Sequence, residues 1–175
     1  EPWHIAQENE IQSLCKKKSV NYKSFNSNYL WKPNQILKSD GTYYRVFTAY
    51  KKKSYQHNSR KTIKKPTRIN AVKDAKNKIS IADLNLIPAD MKWHKRILDL
   101  WNIGELAAHN KLSEFIKTKL SGYKNARDYP IKNQTSLLSP YLHFGEISPA
   151  QIWESVNSLG HLHANDSDIE HFLSE

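Results

Sequence analysis

The chain has 175 residues, of which 38% are hydrophobic, a share that suits a packed core and excludes a disordered tail. Its 27 Lys and Arg residues outnumber its 17 Asp and Glu residues, and the resulting formal net charge of +10 favours polyanionic partners such as nucleic acid or an anionic membrane. A Lys-rich surface that only keeps a protein in solution gives the same balance, so composition leaves both explanations open.

The first fifty residues are predicted to be the end of an α/β unit. Residues 6–16 are compatible with a helix, and residues 19–25 alternate polar with apolar side chains as a strand does. A turn at residues 39–42 leads to residues 43–50, which are rich in aromatic and β-branched side chains. This second segment is predicted to be extended as well.

Residues 51–91 are predicted to be an interdomain linker. Eight basic residues and no acidic residue lie between Lys51 and Arg68, with very few large aliphatic side chains that could form a buried stripe. Such a segment can follow a phosphate backbone, and it can equally be a solvated connector. The sequence leaves these two interpretations open.

A helical region is predicted to begin near residue 92. Apolar residues recur at roughly helical spacing from Trp93 to Trp101. The strongest amphipathic pattern covers residues 105–120, where apolar positions stand three or four residues apart, and Gly122 closes it. The apolar positions of this second helix are Ala108, Leu112, Phe115, Ile116 and Leu120.

Two Ser-Pro pairs predict the starts of two short helices. Ser139-Pro140 and Ser148-Pro149 each place a hydroxyl residue at the cap and a proline at the first helical position. Gln151 stands three residues after Ser148 and completes a capping box, and Gly160 ends this pattern. A last helix is predicted to start at residue 166 or 167 and to run toward the end of the chain.

Residues 135–139 form a candidate phosphate site when only the residue types are considered. Thr135, Ser136 and Ser139 supply three hydroxyl groups, and the predicted helix start supplies unpaired N–H groups and the positive end of a dipole. A pyrophosphate can be held there without Arg or Lys. Residues that only cap their own helix show the same pattern, and physics alone favours that simpler role.

Tyr123 and Arg127 are four positions apart, so they share a face wherever a helix continues through them. Residues 128–130 break such a helix immediately afterwards, because residue 130 is a proline. The two side chains can flank one pocket. The alternative is that Tyr123 belongs to the core and Arg127 pairs with Asp128.

Membrane insertion, disulfides and metal binding are disfavoured. No apolar run approaches the roughly 18 residues of a spanning helix, and residues 1–20 lack the pattern of a signal peptide. The single cysteine, Cys15, excludes a disulfide framework and agrees with a reducing compartment. The eight His residues include His161 and His163, and His57, His94 and His109 are scattered without a convincing metal-ligand spacing. We therefore expect a cytoplasmic protein without a bound metal.

The order of motifs resembles the photolyase/cryptochrome family, and most closely a bacterial-type cyclobutane pyrimidine dimer DNA photolyase. The matching residues are Leu84-Asn-Leu-Ile-Pro88, Trp93, Trp101, Gly104-Glu105, Tyr123, Arg127-Asp128, Thr135-Ser-Leu-Leu-Ser139-Pro140 and His143-Phe-Gly-Glu-Ile-Ser-Pro149. Residues 1–2, 44–48 and 172–175 resemble further parts of the family. Neither end of the chain resembles a natural terminus, so we expect a fragment of a larger protein.

The resemblance implies an α+β fold class for this fragment. Residues 1–50 would be the C-terminal end of an α/β, Rossmann-like antenna domain, residues 51–91 a basic linker, and residues 92–175 the first part of an all-helical FAD-binding domain. It also implies the site residues. These are Tyr123, Thr135, Ser136, Leu137, Leu138, Ser139 and Phe172 for FAD, Arg127 and Glu175 for DNA, Glu175 for catalysis, and Glu1 for a folate-type antenna such as methenyltetrahydrofolate.

The function implied by the resemblance is that of a deoxyribodipyrimidine photolyase, a carbon–carbon lyase. Reduced FAD donates an electron under light to a pyrimidine dimer flipped out of damaged DNA, and the dimer then splits. The full-length protein would be a monomer. The fragment alone is expected to be inactive and to bind FAD weakly. Two alternatives remain, a cryptochrome-type blue-light photoreceptor and a basic nucleic-acid-binding module without flavin.

Overall fold

The computed structural model describes residues 2–25, 28–32, 34–70, 79–87, 90–159 and 166–175. Helices are the regular structure of these ranges, joined by irregular segments. In chain order the α-helices are α1 Pro2–Lys17, α2 Phe47–Ser54, α3 Trp93–Leu100, α4 Glu105–Thr118, α5 Tyr123–Ala126, α6 Ser139–His143, α7 Pro149–Asn157 and α8 Asp166–Leu173, with 3-10 turns at Ala82–Leu84 and Pro130–Lys132.

The two predicted strands are wrong. Residues 19–25 adopt no regular structure, and the second extended segment gives way to a helix because α2 begins at Phe47. A strand is stable only when a neighbour pairs its N–H and C=O groups, and none of the described residues forms such a ladder. The α+β class with a Rossmann-like end is therefore corrected to an all-helical arrangement for the described ranges.

Helix α2 forms because its local sequence favours a helix once strand pairing is absent. Ala49 and the lysines that follow it have high helix propensity, and Lys51, Lys52 and Lys53 lie in the last turn, where the helix dipole favours positive charge. Ser54 is buried, and its hydroxyl donates to the carbonyl of Lys51 at 2.9 Å. The predicted domain boundary at residue 51 falls inside this helix, and the domain limits stay a prediction.

A hydrophobic core lies within the described residues from 101 to 175. Helix α4 supplies Ala108, Leu112 and Phe115, and Leu120 follows directly, as the amphipathic pattern predicts. Gly122 closes this stretch in the left-handed conformation, with φ 80°, which a glycine adopts without steric cost. The remaining buried members of the core are Tyr123, Leu138, Tyr141, Ile147, Ile152, Val156 and Ile169.

Helix α7 begins as the sequence predicts. The amide of Gln151 donates to the Ser148 hydroxyl at 3.3 Å, and the Gln151 side-chain oxygen accepts from the Ser148 amide at 2.8 Å. This reciprocal capping box satisfies two backbone donors that a helix start otherwise leaves unpaired.

Helix α3 is confirmed as a helix, but its apolar side chains are exposed. Trp93, Ile97 and Leu100 lie on the surface, although the sequence repeats them at helical spacing. Trp101, just beyond the helix, is the residue that reaches the core, where its ring stands 5.7 Å from that of Tyr141. Helical periodicity therefore predicts the conformation of this segment and not its burial.

The described residues include no helix that is both long and apolar enough to cross a membrane. Within the same ranges, no three His, Cys, Asp or Glu side chains are grouped so that they could ligate a metal ion. His161 and His163, which the sequence analysis considered, lie outside the described residues.

Candidate functional site

A cavity of about 470 Å³ lies where α2 meets the packed helices of the core. Its walls combine apolar and aromatic side chains with a few hydroxyl groups and one carboxyl group. This size and composition are typical of a small-molecule site. The sequence-predicted site residues that line it are Tyr123, Ser136, Leu138, Ser139, Phe172 and Glu175.

Tyr123, Arg127 and Glu175 form a polar cluster at one end of the cavity. The Tyr123 hydroxyl donates to Oε2 of Glu175 at 2.9 Å, and the Arg127 guanidinium forms an ion pair with Oε1 of the same carboxylate. The guanidinium also lies 5.7 Å from the centre of the Tyr123 ring. Arg127 does not line the cavity, but it fixes the orientation of Glu175 by charge.

Electrostatics keep the Tyr123 hydroxyl a hydrogen-bond donor. Burial raises the pKa of Tyr123 above its usual value, while the positive charge of Arg127 lowers it and the negative charge of Asp128 raises it. The phenol is therefore protonated at neutral pH and donates to Glu175. The predicted pairing of Arg127 with Asp128 exists as well, at 3.3 Å. The structure therefore agrees with the alternative of a core tyrosine beside an arginine paired with Asp128, while only Tyr123 of the two lines the cavity.

Phe172 joins the cavity wall to the hydrophobic core. Its ring stands 4.6 Å from that of Phe115 and 5.4 Å from that of Tyr123, the second contact being edge to face. Phe115 also meets Tyr123 edge to face at 5.6 Å. This aromatic packing holds the Tyr123 and Phe172 side chains in fixed positions against the cavity.

Asp168 is a site-supporting residue that the sequence analysis did not identify. Its side chain is only 5% exposed and accepts from the amides of Gly122 and Lys124, each at 2.9 Å. These amides stand on either side of Tyr123, so Asp168 ties the first turn of α8 to the start of α5. Asp168 is 46 positions from Gly122 and 44 positions from Lys124, so no local spacing in the sequence indicates these contacts.

Only some residues of the predicted phosphate site, residues 135–139, line the cavity. Ser136, Leu138 and Ser139 line it, whereas Thr135 and Leu137 do not. Leu137 has a φ of 56°, in the left-handed region, and its side chain is exposed. The conformation of this residue turns the chain so that Leu138 enters the core.

The predicted helix cap at Ser139 is wrong. Helix α6 begins at Ser139 itself, after Leu138, and no side chain caps it. Leu138 already has right-handed helical dihedrals, so the chain enters the helix one residue earlier than the Ser-Pro pattern indicates. The Ser139 hydroxyl is consequently not used as a cap and is open to a ligand in the cavity. The Ser136 hydroxyl accepts a long bond, 3.4 Å, from the Leu138 amide.

A second aromatic wall was also missed by the sequence analysis. Trp31, Tyr55 and Trp153 come from three separate segments, and their rings pack at centroid distances of 5.2 to 6.3 Å. The Trp153 ring meets each of the other two edge to face. Nothing in the spacing of these residues indicates that they meet.

The predicted antenna residue Glu1 lies outside the described residues.

Comparisons with known proteins agree on one group of relatives. A family model described as DNA photolyase matches residues 1–69. The deoxyribodipyrimidine photo-lyase of Agrobacterium fabrum is 31% identical over 100% of this chain and 36% of that protein, and the one of Alkalihalophilus pseudofirmus is 35% identical over 91% of this chain and 32% of that protein. Cryptochrome-2 of Arabidopsis thaliana is 27% identical over 97% of this chain and 29% of its own length.

A solved structure gives the same result in three dimensions. The crystal structure of a bacterial class III photolyase from Agrobacterium tumefaciens matches with a TM-score of 0.84 and 30% sequence identity. The match covers 99% of this chain and 36% of that one. The chain therefore spans about a third of the length of the relatives that it matches.

Proposed function

The chain belongs to the photolyase/cryptochrome family, and we propose that the protein containing it repairs cyclobutane pyrimidine dimers in DNA by light-dependent electron transfer from reduced FAD. The observation that carries this proposal is the Tyr123–Glu175–Arg127 cluster on a cavity that also exposes the hydroxyls of Ser136 and Ser139. A site with these groups can hold a phosphate-bearing aromatic cofactor and a polar base side by side.

The residues present fit FAD by their chemistry. The Ser136 and Ser139 hydroxyls can donate to phosphate oxygens, and the Ser139 hydroxyl is not used as a helix cap. Tyr123 and Phe172 offer an aromatic wall that excludes water from a flat ring system. When bound, FAD would supply the absorption of light and the transferable electron, as cofactors do in such reactions.

Glu175 is the residue proposed to recognise the damaged bases. A carboxylate accepts hydrogen bonds, and a pyrimidine ring flipped into the cavity carries an N–H group that can donate one. Tyr123 and Arg127 hold this carboxylate from two sides, which reduces the cost of ordering it when the bases enter. Arg127 adds positive charge close to the place where the DNA backbone must pass.

The test is to purify the full-length protein and to follow dimer-containing oligonucleotides under blue light. We expect a yellow protein that restores the dimers. Glu175→Gln should retain flavin absorbance but repair about tenfold more slowly, because one hydrogen bond to a charged group is lost. Glu114→Gln is the matched control, since Glu114 is an exposed glutamate on α4 that pairs with Lys111 and does not line the cavity. Its repair rate should be unchanged.

Two other results would reject the proposal. A colourless protein excludes both flavin-dependent functions. A yellow protein that leaves dimers intact supports a cryptochrome-type photoreceptor, the second candidate, which the similarity to cryptochrome-2 of Arabidopsis thaliana over 97% of this chain favours.

A further inference from the structure

The proposed function leaves one charged surface without a role. We define the basic segment as residues 57–70, which contains Arg60, Lys61, Lys64, Lys65 and Arg68 and no acidic residue. It has neither helix nor strand. Its lysines therefore contribute nothing to a helix dipole or to a sheet, and their close spacing costs mutual repulsion.

The start of the basic segment is held against the rest of the protein. The Trp31 indole donates to the carbonyl of His57 at 3.3 Å, and the amide of Arg60 donates to the carbonyl of Leu30 at 3.3 Å. The Thr62 hydroxyl donates to the carboxylate of Glu154, on helix α7. Glu154 directly follows Trp153, which lines the cavity. The basic segment therefore begins next to the edge of the candidate site.

Beyond these anchors the positive charges are presented to solvent. Lys61, Lys64, Lys65 and Arg68 are exposed, and no described carboxylate lies within ion-pair distance of any of them. An extended chain covers at most about 3.5 Å per residue, so the stretch from 61 to 68 reaches up to about 24 Å. One strand of duplex DNA carries a phosphate every 3.4 Å or so along its axis, so about seven phosphates fall within that reach.

We propose that the basic segment binds the phosphate backbone of duplex DNA beside the lesion cavity, through contacts that do not depend on base sequence or on damage. This inference rests on the proposed function, because there DNA is the substrate. An anionic membrane is the other polyanion to consider. Segments that bind membrane surfaces present an amphipathic helix with a continuous apolar face, and this segment has no helix.

The experiment measures binding of the full-length protein to an undamaged fluorescent duplex in the dark, at salt concentrations from about 50 to about 200 mM. One variant carries Lys61→Gln, Lys64→Gln, Lys65→Gln and Arg68→Gln. The matched control removes four charges elsewhere, with Lys16→Gln, Lys17→Gln, Lys18→Gln and Lys23→Gln on and after α1. Each phosphate contact contributes about 0.9 to the slope of log K against log salt. The segment variant, which lacks four charges, should lose up to about 3.6 from the magnitude of this slope, and the control less than about 1.

The outcomes separate the two proposals. An equal change in both variants, or no change in either, overturns the binding role of the segment even if repair is intact. A lowered slope in the segment variant alone supports it even where the wild-type protein repairs nothing. Circular dichroism spectra that match the wild type show that both variants are folded. The proposal would also be overturned if the segment variant lost binding to vesicles of anionic lipid while its binding to DNA was unchanged.

Discussion

The two halves of the described chain differ in what their apolar side chains contact. The described residues from 101 to 175 supply the members of the hydrophobic core, where Phe115 is 1% exposed. Residues 2–100 form helices with equally apolar positions, yet Leu100 in α3 is 82% exposed and the apolar residues of α1 lie on the surface. This difference shows that a helical pattern of apolar residues specifies a helix, whereas burial of those side chains requires a second surface of matching shape.

The cavity lies at the border between these halves and depends on both. The core half supplies Tyr123, Phe172 and Glu175, and the N-terminal half supplies Trp31 and Tyr55. Aromatic packing of Trp31 and Tyr55 against Trp153 joins them, together with polar contacts. Lys51 pairs with Glu170 at 3.1 Å, and the Tyr55 hydroxyl donates to the carbonyl of Leu173 at 3.4 Å. The site therefore combines one wall that belongs to the hydrophobic core with a second wall that aromatic packing and polar contacts hold against it.

The largest expected effect is on the free energy of unfolding, and it is tested by replacing one large apolar residue in each half. Phe115→Ala should lower the free energy of unfolding by about 4 kcal/mol, because it removes a buried ring that contacts Phe172 and Tyr123. Leu100→Ala should change it by less than about 0.5 kcal/mol. Urea unfolding followed by circular dichroism measures both. A similar loss in the two variants would show that α3 is packed and would remove the distinction between the halves.

The second effect tests whether a buried charge stabilises the core half. Asp168→Ala leaves the amides of Gly122 and Lys124 without an acceptor, and the free energy of unfolding should fall by about 3 kcal/mol. Asp128→Ala is the control on the other side of α5, where the exposed pair with Arg127 contributes no more than about 1 kcal/mol. Equal urea midpoints for the two variants would contradict the role assigned to Asp168.

A third effect separates the two Ser-Pro helix starts within the core half. Ser148→Ala removes an observed capping box and should cost about 1 kcal/mol of stability. Ser139→Ala should cost less than about 0.5 kcal/mol, because α6 has no side-chain cap. Thermal unfolding distinguishes the two, and FAD titration of the full-length protein should show weaker binding only for Ser139→Ala. Equal stability losses would mean that Ser139 caps its helix after all.

The smallest effect depends on pH. Because burial raises the pKa of Tyr123, the folded state holds the phenolic proton more tightly than the unfolded state does. The resulting stability is complete below the ordinary tyrosine pKa of about 10 and is lost as the pH rises through the raised value. Urea midpoints should fall between neutral and strongly alkaline pH, and Tyr123→Phe should make that fall smaller. An unchanged pH dependence in this variant would show that Tyr123 does not titrate with folding.

The elements that the sequence predicts correctly are those with short-range causes. The apolar spacing of α4, its closure at Gly122 and the capping box at Ser148 each depend on residues within one or two turns, and the structure confirms them. The strand at residues 19–25 required a pairing partner that no local pattern supplies. Its alternation of polar and apolar residues therefore led to a wrong prediction.

The candidate site shows the same division between local and distant causes. A motif of adjacent residues leads to Ser136, Leu138 and Ser139, and all three line the cavity. Asp168 and the Trp31–Tyr55–Trp153 wall depend on residues that are distant in sequence, so no motif could reveal them. The roles of Tyr123, Arg127 and Glu175 in binding or catalysis stay predictions, although the structure brings the three side chains together.

The contact between Lys51 and Glu170 also sets an order of assembly. The two residues are 119 positions apart, so their contact closes a very long loop, whereas the helices from α4 to α8 pack over much shorter separations. On a ribosome, α2 emerges long before the surface that it docks against. The cavity is therefore completed late, only after α8 itself has left the exit tunnel.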